Sequence, residues 1–482
     1  MKCRAIAIML LAAAVFLSPC RLSAAESNVN HPNILFLFSD DQRADTIGAL
    51  GNAHVHTPNV DRLVKEGTSF TRAYCMGGMQ GAICVPSRAM LMSGRTLFRV
   101  KEQLQGQDTW PEQFAAAGYR TFITGKWHNG PQSLLKAFQN GKAVFLGGMG
   151  DPYKLPVADI TADHKIGDKR PSGKHSIELF ADTAIDFLKS RKKDDPPFLC
   201  YVPFNAPHDP RIAPAPYHEA SNKDKPPLPP NFMPVHPFNN GDMTLRDEQL
   251  APWPRTPDVV RQNLADYYAS IAWIDVQVGR ILEGLRDSGQ YENTIIVYSS
   301  DHGLAIGSHG LFGKQNLYDM SMHAPLIFAG PGIPKDKRTD AMCYLLDIFP
   351  TLGELTGVKG PAGSEGISLV PAMKDTVKKG SGAGRPALLT AYRSFQRAVR
   401  DDRWKIIVYP QINKVQLFDL KEDSAEMKDL AADPAFAKER ERMMELLKKQ
   451  QAVYDDKQPL STDMPQPMEF DFSKVKRTAG KE

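Results

Sequence analysis

The sequence of 482 residues predicts an α/β fold: a large mixed sheet sandwiched by helices, followed by a smaller C-terminal subdomain with an antiparallel sheet and a helix. Three observations support this prediction. Short continuous apolar runs, such as residues 33–39, are typical of strands buried on both faces. Amphipathic helical patterns alternate with these runs, as in other α/β domains. After residue 386 the pattern changes to closely spaced short strands, which favours an antiparallel sheet.

The elements are expected in the following order. In the large domain, strands are predicted at 33–39, 120–124, 198–204, 294–299 and 324–328, and helices at 110–117, 176–192, 258–288 and 344–356. The helix at 176–192 has one apolar face made of Ile177, Phe180, Ala181, Ala184 and Leu188. In the subdomain, strands are predicted at 388–392, 397–400, 404–409 and 415–419, followed by a helix at 434–454.

Residues 203–257 are dense in proline and have no periodicity, so they are predicted to be an ordered loop over the site. Loops of this length usually carry function or are disordered. These patterns divide the chain into residues 1–25, a catalytic domain at 26–385, the subdomain at 386–456 and an extended tail at 457–482.

The start of the chain predicts a cleaved secretory signal. Residues 1–25 carry Lys2 and Arg4, an apolar run at 5–17 and small residues at 23–25. The alternative is a transmembrane helix, but this run is shorter than the roughly 20 residues that a bilayer requires. The protein is therefore expected to be exported, either periplasmic or secreted.

Residues 17–20 also resemble a lipoprotein cleavage box, which leaves a lipid anchor as an alternative.

The composition of the chain excludes some classes of partner. Loss of Lys2, Arg4 and Arg21 with the signal lowers the basic side chains from 59 to 56, against 55 acidic ones. This balance does not favour nucleic acid or an anionic membrane as a partner. Four cysteines remain, too few for a disulfide scaffold.

The most specific motif is Cys84-Val85-Pro86-Ser87-Arg88, followed by Ser93-Gly94-Arg95. A single cysteine is more often a buried small hydrophobic residue than a reactive one. Pro86, Arg88 and the Gly-Arg pair at this spacing favour the functional interpretation.

Other polar motifs follow the predicted strands. They are Asp40-Asp41, Gly125-Lys126-Trp127-His128, Asn205-Ala206-Pro207-His208 and Ser300-Asp301-His302-Gly303. Gly313-Lys314 comes after the last of these along the chain. Ligands of open α/β sheets bind outside the carboxyl ends of the strands. Taken singly, the aspartates could cap helices or turns, the lysines could be solvated and the histidines could pack in the core. Together they predict one site.

These motifs resemble the type I sulfatases of the alkaline phosphatase superfamily over Pro32 to Gly357. The resemblance implies that a separate maturation enzyme oxidises Cys84 to formylglycine. It also implies a metal ion held by Asp40, Asp41, Asp301, His302 and formylglycine 84, with Arg88, Lys126 and Lys314 neutralising the sulfate. His302 stands where the family more often has Asn or Gln. An oxygen-rich site favours one Ca²⁺ per chain over Mg²⁺.

The resemblance further implies a mechanism. One hydroxyl of the hydrated aldehyde attacks sulfur as Asp301 takes its proton, and His208, together with Lys314, protonates the leaving alcohol. His128 then removes the second hydroxyl proton and sulfate leaves, which makes two easier steps of one difficult step.

The expected function is removal of sulfate from a sulfated carbohydrate. The loop at 207–257, with Tyr392 and Arg393, is expected to select the alcohol, although both side chains could instead pack the subdomain interface. The alternatives are a choline or aryl sulfatase, or a phosphonate or phosphate monoester hydrolase of the same superfamily. A non-catalytic carbohydrate-binding protein would lack catalytic residues, and none is missing.

Overall fold

A ten-stranded mixed sheet forms the centre of the fold. The structure is a computed structural model that describes residues 31–192, 194–375 and 384–475. The predicted signal at 1–25 and the end of the predicted tail lie outside the described residues.

The strands are, in chain order, β1 (Asn33–Ser39), β2 (Gly67–Phe70), β3 (Ala73–Tyr74), β4 (Gly77–Gly78), β5 (Arg120–Lys126), β6 (Asn140–Phe145), β7 (Pro156–Ala158), β8 (Arg170–Pro171), β9 (Phe198–Pro203), β10 (Thr294–Ser300), β11 (His323–Ala324), β12 (Leu326–Ala329), β13 (Lys337–Thr339), β14 (Cys343–Tyr344), β15 (Leu388–Tyr392), β16 (Gln396–Arg400), β17 (Trp404–Tyr409) and β18 (Lys414–Asp419). The helices are α1 (Pro58–Glu66), α2 (Cys84–Ser93), α3 (Trp110–Ala116), α4 (Pro131–Ala137), α5 (Ser176–Lys189), α6 (Ala215–Lys223), α7 (Pro257–Asp287), α8 (Asp319–Met322), α9 (Ile348–Thr356), α10 (Val370–Lys374) and α11 (Ala437–Tyr454).

The order of strands in the large sheet is β13-β2-β12-β10-β1-β9-β5-β6-β7-β8. The central strands β10, β1, β9, β5 and β6 are parallel, whereas β12 and β7 run antiparallel to their neighbours. All seven residues of β1 are buried. Leu35 and Leu37 enter one hydrophobic cluster, and Ile34, Phe36 and Phe38 enter the other. Both faces of the sheet are therefore covered, and the predicted mixed sheet between helices is confirmed.

The C-terminal sheet has the order β18-β17-β16-β15-β4. Four of its strands were predicted within one residue of their bounds. The fifth strand, β4, comes from the segment just before Cys84 and pairs in parallel with β15. On α11, Met443 and Leu447 share a buried cluster with Val399 and Ile406 of this sheet. The smaller antiparallel sheet with its helix is therefore confirmed, and main-chain pairing joins it to the large domain.

Three predicted elements were wrong, and proline explains two of the errors. Pro325 has no N–H and divides the predicted strand at 324–328 into β11 and β12, which belong to different sheets. The predicted loop at 203–257 contains α6 and a short 3-10 helix at Arg246–Leu250. Proline is tolerated in the first turn of a helix, so proline density concealed the start of α6. The predicted helix at 344–356 begins as a strand residue and a 3-10 turn before α9.

The other differences concern the ends of elements. Helix α5 ends at Lys189 rather than residue 192, with the predicted face buried, and β5 continues to Lys126 rather than residue 124. No helix among the described residues has the length and apolar character needed to cross a bilayer.

A buried ionic cluster connects the C-terminal sheet to α8. Lys405 Nζ on β17 lies 2.7 Å from Asp319 Oδ1 and 2.7 Å from Glu426 Oε1, and its side chain is 3% exposed. Arg400 on β16 also contacts Asp319, at 2.8 Å. Because charged groups are costly to bury alone, the two carboxylates depend on these two cations.

We expect Lys405→Met to lower the free energy of unfolding by about 3 kcal/mol, because Glu426 loses the cation that lies 2.7 Å from its carboxylate. Burial raises the pKa of Glu426 to about 7, so the loss should be larger at pH 9 than at pH 6, where the carboxyl is protonated. Urea unfolding measures the loss. As a control, Lys414→Met removes the partly exposed pair with Asp429 and should cost less than about 1 kcal/mol. Equal losses for the two variants would contradict this account of the cluster.

Candidate active site

The predicted site residues lie together at the carboxyl edge of the central strands. Asp40 and Asp41 follow β1, Cys84 and Arg88 lie on α2, Lys126 ends β5 and His128 follows it, His208 follows β9, Asp301 and His302 follow β10, and Lys314 lies on the loop before α8. Parallel strands end at the same edge, which explains why motifs far apart in the sequence meet there. All of them except His128 are buried.

Cys84 is the first residue of α2, and its thiol faces two lysines. Lys314 Nζ lies 3.3 Å from Cys84 Sγ. Burial raises the pKa of the thiol, but Lys126, Lys314 and hydrogen bonds from His128 and His208 lower it, so that the net pKa is well below the usual value. An electropositive setting at a helix N-terminus favours the reactive thiolate.

Arg88 lies one turn after Cys84 on the same face of α2. Its Nη2 lies 3.1 Å from Asp40 Oδ1, and its Nε donates to Asp301 Oδ2 at 3.1 Å. Nη1 also donates to the main-chain oxygen of Lys126 at 3.2 Å. Arg88 therefore joins three strand ends and holds two of the site's carboxylates in place.

Each of the other two cations also has a carboxylate partner. Lys126 Nζ lies 2.6 Å from Asp40 Oδ2. Lys314 Nζ lies 2.8 and 2.9 Å from the two oxygens of Asp41. Burial raises the pKa of Asp40, but Lys126 and Arg88 lower it by more. The net pKa lies well below the usual value, so this carboxyl stays ionised. Three cations and three carboxylates thus surround the thiol.

The histidines differ in their surroundings. His208 Nδ1 lies 2.9 Å from the main-chain oxygen of Asp209, and its Nε2 lies 3.8 Å from Asp41 Oδ2. Burial lowers the pKa of His208, but Asp41 raises it, to about 10 overall. Burial lowers the pKa of His128, whose Nδ1 has no hydrogen-bond partner among the described residues. His208 is therefore suited to donate a proton and His128 to accept one.

The donor atoms fit a divalent cation. Ligand atoms of Asp41, Cys84 and His302 lie within 4.8 Å of one another, and so do those of Asp40, Cys84 and Asp301. His302 Nδ1 lies 3.0 Å from the oxygen of Gly303, and this hydrogen bond requires the proton on Nδ1. Nε2 of His302 is buried without a hydrogen-bond partner among the described residues, and it lies 3.5 Å from Asp41 Oδ1. A set rich in carboxylate oxygens with one imidazole suits a hard cation.

Tyr267 supports this cluster and was not singled out as a site residue in the sequence. Asp41 has a left-handed backbone with φ of 66°, which is costly for a residue with a side chain. Tyr267 OH on α7 donates a hydrogen bond to the main-chain oxygen of Asp41 at 2.6 Å and accepts one from the main-chain N–H of Arg43 at 2.8 Å. Tyr267 lies within the helix predicted at 258–288, and its side chain is buried. Its hydroxyl was the available signal, since a buried tyrosine usually has a polar partner.

Tyr392 and Arg393 lie at the rim, in different positions. Tyr392 is buried and its OH donates to Asp242 at 2.6 Å, so the structure supports a packing role for it. The side chain of Arg393 is 35% exposed and lies 3.2 Å from Asp242. Its guanidinium lies next to Gly81, three residues before Cys84. Arg393 is therefore the member of this pair that can reach a bound molecule.

Comparisons with known proteins agree with this geometry. Residues 32–358 match the family model described as Sulfatase, and residues 307–453 match the one described as N-sulphoglucosamine sulphohydrolase, C-terminal. The chain is 27% identical to an N-acetylglucosamine-6-O-sulfatase of Bacteroides thetaiotaomicron, over 95% of this chain and 93% of that protein. It is 28% identical to a Delta 4,5-hexuronate-2-O-sulfatase of the same organism, over 90% of each chain.

A solved structure in complex with its substrate, D-glucosamine-2-N,6-O-disulfate, superposes with a TM-score of 0.74 at 26% identity. The match covers 89% of this chain and 99% of that chain.

Proposed function

Since this chain belongs to the sulfatase family and is a sulfuric ester hydrolase, we propose that it removes sulfate from a sulfated sugar through a formylglycine formed from Cys84. The observation that carries the proposal is the position of the thiol, at the start of α2 and 3.3 Å from Lys314 Nζ, inside a ring of three cations and three carboxylates. Sulfate esters are anionic. Fixed cations around the nucleophile would stabilise the negative charge that develops on the sulfate oxygens during the reaction.

The aldehyde and the histidines have complementary roles in this proposal. A hydrated formylglycine supplies two hydroxyl groups on one carbon, one to attack sulfur and one whose deprotonation expels sulfate. His208 Nε2 faces the site and would protonate the departing alcohol. His128, which is hydrogen-bonded to residue 84 and has a lowered pKa, would take the proton of the second hydroxyl. Lys126 and Lys314 would bind the sulfate oxygens.

A divalent cation would be held by Asp40, Asp41, Asp301 and His302 together with residue 84. Ca²⁺ is proposed first because carboxylate oxygens dominate the donor set. Bound there, it would supply fixed positive charge for the sulfate oxygens. It would also balance the carboxylates once the lysines contact substrate.

The names of the relatives support a sulfated carbohydrate as the substrate. One acts on an N-acetylglucosamine sulfate, another on a hexuronate sulfate, and the solved structure binds a disulfated glucosamine. The proposal includes export, with residues 1–25 as the signal, and a maturation enzyme that oxidises Cys84.

Release of sulfate from defined sulfated sugars, measured by ion chromatography on protein produced with a maturation enzyme, tests this proposal. Aryl sulfate, choline sulfate and aryl phosphate are assayed beside them. Faster turnover of choline sulfate or of the phosphate than of every sugar would refute it.

We expect Arg393→Ala to lower kcat/KM for the preferred sugar sulfate by several-fold to about 100-fold, as for other lost charged contacts. Turnover of 4-nitrophenyl sulfate should hardly change, because the aryl group lacks the parts of the sugar that Arg393 would contact. Arg403→Ala is the control, since it removes a half-exposed pair with Asp419 in the same subdomain. Equal losses on both substrates would show that Arg393 only supports the fold.

A further inference from the structure

Arg246, Asp209 and Asp247 form an ion-paired group at the rim of the site, called here the Arg246 clip. Arg246 Nη2 lies 2.9 Å from Asp209 Oδ1, and its Nη1 contacts Asp209 Oδ2, so the two side chains pair through both ends of the guanidinium. Arg246 Nη2 also contacts Asp247 Oδ1. All three residues lie in the proline-rich segment 203–257, and none has a role in the mechanism above.

The first arm of the clip reaches His208. Asp209 Oδ1 lies 3.2 Å from His208 Nδ1, and the main-chain oxygen of Asp209 lies 2.9 Å from the same nitrogen. Two acceptors on one side of the ring fix the proton on Nδ1 and the orientation of the imidazole. Nε2 is then directed to the side of Asp41 and Cys84.

The second arm reaches Lys314. Asp247 Oδ2 accepts a hydrogen bond from Gln315 Nε2 at 2.8 Å. Gln315 Nε2 also donates to the main-chain oxygen of Gly81 at 2.8 Å, and Gln315 Oε1 accepts from Lys314 N at 3.1 Å. The clip is therefore connected to the lysine beside the thiol and to the segment that precedes Cys84.

A neighbouring residue fixes the base of the clip. Glu248 accepts hydrogen bonds from Phe312 N and Gly313 N, the latter at 2.8 Å, and from Arg255 Nη2 at 2.6 Å. The 3-10 helix that carries Arg246 is thus attached to the loop that carries Lys314. The base of the clip is therefore hydrogen-bonded to the loop that carries Lys314.

Burial shows why an arginine is needed at this position. The side chains of Asp209 and Asp247 are only 12% and 5% exposed, whereas that of Arg246 is 43% exposed. Without Arg246, the carboxylates of Asp209 and Asp247 would lie close together, largely buried from solvent and beside His208. A planar guanidinium can bind one carboxylate with two hydrogen bonds and still contact a second, whereas a lysine ammonium is a point charge.

We propose that Arg246 is a positioning residue for protonation of the leaving group, acting through Asp209 on His208; this rests on the proposed function. As the bond between sulfur and the alcohol oxygen breaks, the proton on His208 Nε2 passes to that oxygen. The new bond to sulfur is made by a hydroxyl oxygen of residue 84, whose proton passes to Asp301. His208 is left neutral and regains a proton from water. The contribution of the clip should therefore grow with the basicity of the leaving oxygen.

A series of substituted phenyl sulfates tests this proposal, because these substrates have nearly the same size and differ in leaving-group basicity. For Arg246→Ala we expect kcat on phenyl sulfate to fall on the order of 100-fold, within the usual range for general acid catalysis. The fall on 4-nitrophenyl sulfate should be less than about 3-fold, with KM little changed for both. Asp209→Asn should show the same trend, and Arg246→Lys should recover part of the loss.

The controls separate the possible failures. Arg261→Ala removes an exposed ion pair with Asp258 on α7. It should leave kcat unchanged for every phenyl sulfate in the series. Activity of Arg246→Ala on 4-nitrophenyl sulfate shows that the variant is folded, and Arg246→Lys and Asp209→Asn replace it if it is not. Equal losses across the series, or a change in KM alone, would overturn the proposal. A wild-type protein that releases no sulfate from any ester would instead refute the proposed function.

Discussion

Cys84→Ala is expected to abolish sulfate release, with a fall in kcat of at least about 10⁴-fold, because the proposed mechanism forms its covalent link to sulfur through residue 84. In active wild-type protein, mass spectrometry of the peptide that contains residue 84 should show formylglycine. Cys84→Ser should not restore activity unless the host can also oxidise serine. Ion chromatography of released sulfate measures the rates.

Cys200→Ala provides a matched control for this prediction. Cys200 is buried in β9, and burial raises the pKa of its thiol, so it should be unreactive. Loss of this side chain should leave the rate per folded molecule unchanged. Full activity in protein whose Cys84 is unmodified would exclude the formylglycine mechanism.

Prolonged chelation is expected to lower turnover by at least about 100-fold, and added Ca²⁺ should restore it more fully than Mg²⁺. The physical reason is the charge of the site. The site buries three carboxylates, those of Asp40, Asp41 and Asp301. Lys126 pairs with Asp40 and Lys314 with Asp41, but the two lysines cannot fully balance these negative charges while they also bind a sulfate group.

Binding can also be measured without turnover. Ca²⁺ should raise the thermal unfolding midpoint of the chelated wild-type protein, and this rise should be lost in Asp41→Asn. His302→Asn introduces the residue that is commoner in the family. Among substitutions of the proposed metal ligands, it should cause one of the smallest losses of activity. An unchanged rate after chelation, with no metal detected by elemental analysis, would assign the three aspartates another role.

The sequence predicted those parts of the fold and site whose signals are local. The strand β1 was readable because a strand buried on both faces is a continuous apolar run, and the aspartates that follow it were readable as a motif at a strand end. The break at Pro325 could also be expected in principle, since proline lacks the N–H that a strand interior needs. Helix α6 could not, because its prolines have the same local signature as a loop.

Contacts between distant segments could not be predicted. Tyr267 and Asp41 are separated by 226 residues, and Arg246 and Asp209 by 37 within a segment without periodicity. Nothing local to Arg246 shows that its partner Asp209 lies beside His208. The same limit applies to the orientation of His302, because its hydrogen bond to Gly303 depends on backbone angles that the residue types do not specify.

The pairing of β4 with β15 has a consequence for biosynthesis. Residues 77–78 lie a few positions before Cys84, yet their partner strand residues, 391 and 392, are synthesised much later. While the chain is being made, the segment around Cys84 cannot complete its native sheet, so we expect the thiol that is buried in the finished protein to be accessible on an unfinished chain. An oxidising enzyme would therefore act on the nascent chain, in the interval that ends when the C-terminal sheet forms and covers this segment.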